Sequence, residues 1–391
     1  MIRYGIIGVG NIGTIHLNSF FAGKAADSTV TAVCDVDPEK LAKAKEKADE
    51  QGASLEYYDD HRELLKSENV DAVIVAVPHY QHPQMVSDAL DAGKHVISEK
   101  PAGVYTKGLS SLSEKADALG LCYGMMLNQR GNPYVAKMRE LVRSGKYGKT
   151  LRLNWIITDW YRTQYYYDSG DWRATWNGEG GGVLLNQCPH NLDIWQWIFG
   201  MPKRVRGFCA FGKYHDIEVE DDVTAYAEYG NGATAVFITT TGDAIGDNRL
   251  EITCDRAQLV YERGKLTVTE LEKPMSVLTR ELKVGFARPE KKTTVYEDLG
   301  TGRQHPAIIE NFSRHLLYGE ELLAPGRDGI PGLAISNAIH LSNYKNDWVE
   351  VGTPEAEDEF LDYLNMLRRD SKRKTGAVNS GAESIEGTFG S

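Results

Sequence analysis

The chain has 391 residues, 41% of them hydrophobic and 25% charged, an ordinary globular composition with room for two separate cores. The formal net charge is −11 and no Lys/Arg block carries interleaved aromatics, so neither nucleic acid nor an anionic membrane surface is an expected partner. The longest apolar runs, such as Ala72 to Val77, are too short to span a bilayer.

Met1 leads straight into the strand-like Tyr4-Gly5-Ile6-Ile7 without a cationic start or apolar leader, which predicts a cytoplasmic location. Cys34, Cys122, Cys188, Cys209 and Cys254 show no CxxC spacing, so free thiols are expected, with no disulfide frame and no metal site.

In residues 1–128, short apolar runs alternate with helical stretches, the pattern of βαβ units and a parallel sheet. Strands are predicted at Arg3 to Ile7, Thr29 to Cys34, Val70 to Val77, His95 to Ser98 and Leu121 to Leu127. Helices are predicted at Asn11 to Ala22, Pro38 to Glu50 and Pro83 to Asp91. Residues 129–369 begin with a helix, Pro133 to Arg143. Six strand-like runs follow, at Thr150 to Thr158, Arg204 to Tyr214, Val223 to Tyr229, Ala233 to Thr241, Arg249 to Cys254 and Gln258 to Glu262. A helical stretch from Gly180 to Phe199 interrupts them, with a kink or late start expected at Pro189. Helices near Pro306 to Tyr318 and Gly332 to Tyr344 complete the domain, and residues 370–391, rich in Ser, Gly and Lys, read as a mobile tail. The fold class is α/β: an N-terminal Rossmann domain and a C-terminal α/β domain with a large, mostly antiparallel open sheet.

Chemistry concentrates in five places. Gly8-Val9-Gly10-Asn11-Ile12-Gly13 follows a strand, opens a helix and is answered by Asp35 at the second strand's end. That context reads as a dinucleotide site, and Asp35 would bind ribose hydroxyls while repelling a 2′-phosphate, favouring NAD over NADP. Val77-Pro78, with His79 and His82, forms a loop on the same side of the sheet. Glu99-Lys100-Pro101 ends the strand His95 to Ser98, where a lysine would reach the cofactor crevice and favour negative charge developing on a reacting oxygen. In the Gly180 to Phe199 stretch, Asn186, His190, Asp193 and Trp197 share one helical stripe if the helix is continuous. Ahead of it, Tyr165, Asp171, Trp172 and Arg173 belong to an aromatic and charged segment suited to a sugar's two faces.

Together these elements resemble the Gfo/Idh/MocA family of oxidoreductases, over roughly residues 1 to 350. The resemblance rests on Gly8 to Gly13, on Ala92-Gly93-Lys94-His95-Val96 running into Glu99-Lys100-Pro101, and on Gly181-Gly182 with His190 and Asp193. It implies reversible oxidation of a secondary hydroxyl of a sugar, glycoside or cyclitol, and a homodimer or homotetramer built on the C-terminal sheet. It also implies that Lys100 and His190 are the family's active-site pair. The family's usual aspartate, four residues before the histidine, is Asn186 here. His190 is accordingly expected to act as general base, Lys100 as its electrostatic partner and Asn186 as a substrate-orienting hydrogen bonder. The cofactor contacts expected are Gly8, Gly10, Asn11, Ile12, Gly13, Asp35, Val77, Pro78, His82, Glu99 and Lys100. Tyr165, Asp171, Trp172, Arg173 and Asp193 are the expected substrate contacts. Two other readings stand beside the dehydrogenase: a lyase or glycosidase-like enzyme with transient oxidation, and a non-catalytic sugar or nucleotide sensor.

Overall fold

The computed structural model describes residues 1–372, so residues 373–391 of the expected tail lie outside the described residues. The first sheet contains β1 (Ile2–Ile7), β2 (Ser28–Cys34), β3 (Glu56–Tyr58), β4 (Ala72–Val75), β5 (His95–Ser98) and β6 (Tyr123–Met125). Its order is β3-β2-β1-β4-β5-β6, and every recorded pairing is parallel. All four residues of β4 are buried, as an uninterrupted apolar run between two helical layers requires. Strand order reverses between β1 and β4, which opens a crevice at their carboxyl ends.

The flanking helices start where local chemistry directs. Asp37 accepts from Glu39 N ahead of helix Pro38–Glu50, and Asn132 does the same for Tyr134 N ahead of helix Pro133–Arg143. Each helix has its proline in the first turn, where a missing N–H costs nothing.

The second sheet has nine strands among the described residues: β7 (Thr150–Ile157), β8 (Arg204–Phe211), β9 (Glu220–Glu228), β10 (Thr234–Thr240), β11 (Asn248–Cys254), β12 (Ala257–Glu262), β13 (Lys265–Leu271), β14 (Lys291–Tyr296) and β15 (Val349–Glu350). They run β14-β13-β12-β11-β7-β10-β9-β8-β15, antiparallel except for β7 beside β10. Alternation divides the faces: Val223, Ala225 and Ala227 of β9 are buried, while Thr224 and Tyr226 are exposed. Helices Pro189–Phe199 and Gly329–Lys345 pack together, and the latter lies along β8 on the covered face. Helix Gln304–Tyr318 crosses back to the first sheet, where Ser313 Oγ lies 2.9 Å from Tyr4 Oη.

Four strands, β3, β13, β14 and β15, and one long helix go beyond the sequence reading. Strand β14 is exposed at nearly every position, so it carries no apolar alternation to announce it. The amphipathic helix Pro354–Asp370 is capped by Thr353 and packs against helix Gly329–Lys345.

The expected helix from Gly180 is also corrected. It begins at Pro189, and residues 180–188 form turns. The Glu220 carboxylate accepts from Gly182 N at 2.8 Å and Leu184 N at 2.9 Å, occupying donors that a helix would leave to its own first turn. Pro189 then supplies a pre-set φ at the first helical position. Asn186 therefore sits outside the helix, and the single stripe expected to carry it with His190 and Asp193 does not form.

Asp193 is corrected as well, from a substrate contact to part of a buried clamp. Arg130, 2% exposed, donates Nε to Asp193 Oδ2 at 2.9 Å and Nη2 to Oδ1 at 2.6 Å. Its Nη1 reaches Asp328 Oδ2 at 2.5 Å and the Leu323 carbonyl at 3.0 Å. One guanidinium thus joins the turn after β6, helix Pro189–Phe199 and the approach to helix Gly329–Lys345. Replacing Asp193 by Asn strips the paired charge from a buried cation and should lower unfolding free energy by about 3–5 kcal/mol. Urea unfolding checks this, and an unchanged midpoint would contradict the clamp.

Candidate active site

The glycine-rich turn after β1 is set by backbone contact. A Cβ on Gly8, whose φ is +95°, would lie 2.4 Å from Ala76 O, and one on Gly13 would lie 1.9 Å from Gly8 O. At Gly10 the geometry is the opposite: a Cβ there would meet nothing within 4 Å. Helix Asn11–Phe21 begins at this point with no side-chain cap on its first turn, which includes Asn11, Ile12 and Gly13. An open face in front of uncapped helical N–H groups fits a pyrophosphate. Asp35 stands at the end of β2, 8% exposed, accepting from Val9 N at 2.9 Å and Asp37 N at 3.0 Å. A carboxylate has capacity beyond these two bonds for ribose hydroxyls. The residues present therefore fit a dinucleotide.

On the next strand ends, Val77 and Pro78 lead into a short turn whose histidines are buried. His82 has both ring nitrogens on backbone carbonyls, Nδ1 on Pro101 at 2.6 Å and Nε2 on Val77 at 2.7 Å. It clamps the loop after β4 to the loop after β5, so its ring has no nitrogen left for a cofactor. His79 Nδ1 faces the Glu179 carbonyl at 3.2 Å, and its ring packs edge-on to Trp172. Glu99 is buried and meets His16 Nε2 at 2.7 Å, while its other oxygen accepts from Lys100 N at 3.1 Å. Burial pushes the Glu99 carboxyl up, but the His16 bond and nearby positive charge prevail and bring its pKa to about 2.

Lys100 is half-buried and extends Nζ to the backbone carbonyl of Asn186 at 2.8 Å. Burial pushes its pKa down, and the charges of Glu99 and Glu179 act against that fall. His190, in the first turn of its helix and 3% exposed, has no hydrogen-bond partner on either ring nitrogen among the described residues. Burial first, then the Lys100 charge, hold its pKa well below the ordinary histidine value. The site thus combines an uncharged imidazole with open nitrogens and an ammonium near enough to influence its titration.

The polar wall comes from residues 165–187. Arg173 lies over the rings of Tyr166 and Trp172, 4.5 and 4.7 Å from their centroids, and donates Nη1 to Tyr166 Oη at 2.8 Å. Asn186 Nδ2 donates to the same oxygen at 3.3 Å and also to Glu179. Trp172 and Arg173 therefore join the group around Asn186, whereas Tyr165 and Asp171 are exposed. Trp160, Tyr167 and Trp176 of the same segment are buried in the core.

Tyr166 belongs to the aromatic segment read as a sugar platform, where nothing in the sequence sets it apart from its neighbours. One participant is not anticipated from sequence. Glu179, 1% exposed, stands alone between Gly178 and Gly180, with no periodicity to mark it. Burial raises the Glu179 pKa, although Arg173 and the donors Ala174 N and Asn186 Nδ2 oppose the rise.

Residues 2–126 match the family profile described as the oxidoreductase family, NAD-binding Rossmann fold, and residues 135–260 match the GFO/IDH/MocA C-terminal domain. The chain is 32% identical over 199 residues to inositol 2-dehydrogenase/D-chiro-inositol 3-dehydrogenase of Lactiplantibacillus plantarum, covering 50% of this chain and 52% of that one. The match thus spans about half that relative's length. Myo-inositol 2-dehydrogenase of Thermotoga maritima is 29% identical over 280 residues, covering 69% of this chain and 78% of the relative. Among solved structures, the WlbA dehydrogenase from Chromobacterium violaceum, in complex with NADH and UDP-GlcNAcA, superposes with a TM-score of 0.74. It is 24% identical, covering 89% of this chain and 95% of that one, a likeness of fold. The first sheet is an NAD-binding Rossmann fold.

The contrast between glycines gives a direct test of the nucleotide site. Gly10→Ala should leave stability within about 0.5 kcal/mol, because its methyl enters open space, yet weaken NAD binding by at least about tenfold by standing where the pyrophosphate approaches. Gly13→Ala should destabilise the apoprotein itself. Thermal unfolding with and without NAD checks both, and equal NAD affinity for Gly10→Ala and wild type would contradict the placement.

Proposed function

The chain belongs to the Gfo/Idh/MocA oxidoreductase family, and from that premise and the cleft's geometry we propose that it is an NAD-dependent dehydrogenase. Its proposed substrate is a sugar, glycoside or cyclitol carrying a secondary hydroxyl. The observation that carries this reading is the buried imidazole of His190, whose two ring nitrogens have no hydrogen-bond partner among the described residues, next to the Lys100 ammonium at the end of β5. Relatives named as inositol dehydrogenases support the substrate class.

Gly8, Gly10, Asn11, Ile12 and Gly13 hold the pyrophosphate, Asp35 the ribose hydroxyls, and Val77 and Pro78 line the same crevice. When bound, NAD supplies the two-electron acceptor. His190, kept neutral by burial, takes the proton from the carbinol O–H at an open ring nitrogen. Lys100 has three donors and gives one to the Asn186 carbonyl, so it retains others for the reacting oxygen. That ammonium stabilises negative charge as the proton leaves. Asn186, Trp172 and Arg173 orient the remaining hydroxyls and ring, and Glu99 holds the Lys100 backbone in place. Tyr165 and Asp171, exposed on the same segment, are proposed to meet the outer part of a larger substrate.

Ile156, Phe208, Tyr226, Val236 and Ile238 point from the uncovered face of the second sheet. We propose that copies of the chain associate there as a dimer or tetramer.

A panel of myo-inositol, scyllo-inositol, levoglucosan and methyl glucosides with NAD tests the reading by NADH absorbance. Net NADH formation supports the dehydrogenase, and product without net NADH supports transient oxidation. Sugar binding without either supports a sensor. His190→Ala should lower turnover by about 10²–10⁴-fold with NAD affinity nearly intact. An unchanged rate would remove His190 from the mechanism. Because burial lowers the Lys100 pKa, its proton is lost as pH rises through a value below the ordinary lysine 10.5. Turnover should therefore fall on the alkaline side earlier than a free lysine would dictate, and a rate flat to about pH 10 would contradict the assignment.

A further inference from the structure

A carboxylate sits beside Asn186, seven residues earlier in the same irregular stretch. Glu179 is fully enclosed: Oε2 accepts from Ala174 N at 2.6 Å, and Oε1 accepts from Asn186 Nδ2. The Asn186 amide nitrogen also reaches Tyr166 Oη at 3.3 Å, and the Asn186 backbone carbonyl accepts from Lys100 Nζ at 2.8 Å. Among the described residues no donor meets Asn186 Oδ1.

A side-chain amide can turn over, exchanging its donor and acceptor ends at little cost unless a neighbour discriminates between them. An ionised carboxylate does discriminate, because it only accepts. While Glu179 is ionised, Asn186 must face it with nitrogen, and Oδ1 is directed away. Protonated Glu179 can donate instead, and the preference is lost. The groups that face Glu179 are the Arg173 and Lys100 cations, the Glu220 carboxylate, the Tyr167 phenol, the Asn186 amide and Ala174 N. His79 stands at the Glu179 backbone carbonyl.

We infer that Glu179 is a positioning residue: its carboxylate fixes the Asn186 amide so that Oδ1 offers an acceptor to a substrate hydroxyl. This inference rests on the dehydrogenase reading above and deepens it. The cleft keeps a directed hydrogen-bond acceptor at a position where Asn186 alone would offer donor and acceptor equally. It favours substrates that bring an O–H donor to that point, as a polyol does, over those that bring an ether oxygen. When ionised, Glu179 places its charge behind Asn186, where it also supports the Lys100 ammonium.

The test exchanges the two groups. Glu179→Gln presents an amide that satisfies Asn186 in either orientation. The substrate KM should rise roughly tenfold, the cost of one mispaired polar group, while NADH affinity changes little and, because Lys100 loses a supporting charge, the alkaline limb of kcat moves to lower pH. Asn186→Asp places two carboxylates in contact, so the acid limb of kcat/KM should move to higher pH. The double variant Glu179→Gln/Asn186→Asp restores one carboxylate and one amide in exchanged positions, and its KM should return toward wild type. An unchanged KM in Glu179→Gln, or losses that simply add in the double variant, would overturn the inference. If Glu179→Gln does not fold, the isosteric Asn186→Asp suffices, and an unmoved acid limb there also overturns it. Binding of myo-inositol, scyllo-inositol and levoglucosan in the presence of NADH, read by tryptophan fluorescence, should follow the same pattern as KM. Absence of turnover in wild type with any probe would sink the dehydrogenase reading, whereas an unchanged binding constant in Glu179→Gln would sink the inference.

Discussion

Lys100 reaches from the carboxyl end of β5 to the Asn186 carbonyl, 2.8 Å away, and the cleft is organised around that span. The strand belongs to the nucleotide-binding sheet, and the carbonyl belongs to the turn that introduces the helix of His190. A single ammonium therefore couples the nucleotide-binding sheet to the segment that introduces the His190 helix. Removing it from water is costly, and the nearby Glu99 and Glu179 carboxylates offset part of that cost. Its Glu99 neighbour is in turn held by His16, so the cation is supported from beneath by a second buried contact.

The same loss of water has opposite consequences for different groups. Burial disfavours charge on His190 and leaves a neutral imidazole with open nitrogens, suited to taking a proton. Burial also disfavours the Glu179 anion, while Arg173, Ala174 N and Asn186 favour it. Glu99, with closer partners, is held at a pKa of about 2. Three titratable side chains within one cleft are thus driven apart by burial together with their partners. Such separation is what an acid–base site needs.

Much of this arrangement was legible in the chain. Gly8, Gly10 and Gly13 between a strand and a helix can do little besides make a tight turn, and Asp35 followed at the expected strand end. Lys100 and His190 could be singled out because strand position and family resemblance both pointed to them. The Asp193 assignment failed because a helical stripe says nothing about the side chain opposite. Its partner Arg130 lies 63 residues earlier and carries no local signal. Asn186 was placed on the wrong element because Gly182 and Leu184 give their amides to Glu220, a contact between distant segments. Glu179 was illegible for a different reason: its partners Ala174 N and Asn186 Nδ2 lie within seven residues, in an irregular turn that no periodicity marks. Local rules located the backbone ends, whereas long-range hydrogen bonds decided which side chains face the cleft.

The central claim is that Lys100 and His190 converge on one reacting oxygen. A crystal structure with NADH and the polyol oxidised fastest tests it most directly. The account predicts the carbinol oxygen within about 3.2 Å of both Lys100 Nζ and a ring nitrogen of His190. A substrate bound with that oxygen turned to solvent, and both His190 nitrogens still without a partner, would contradict it.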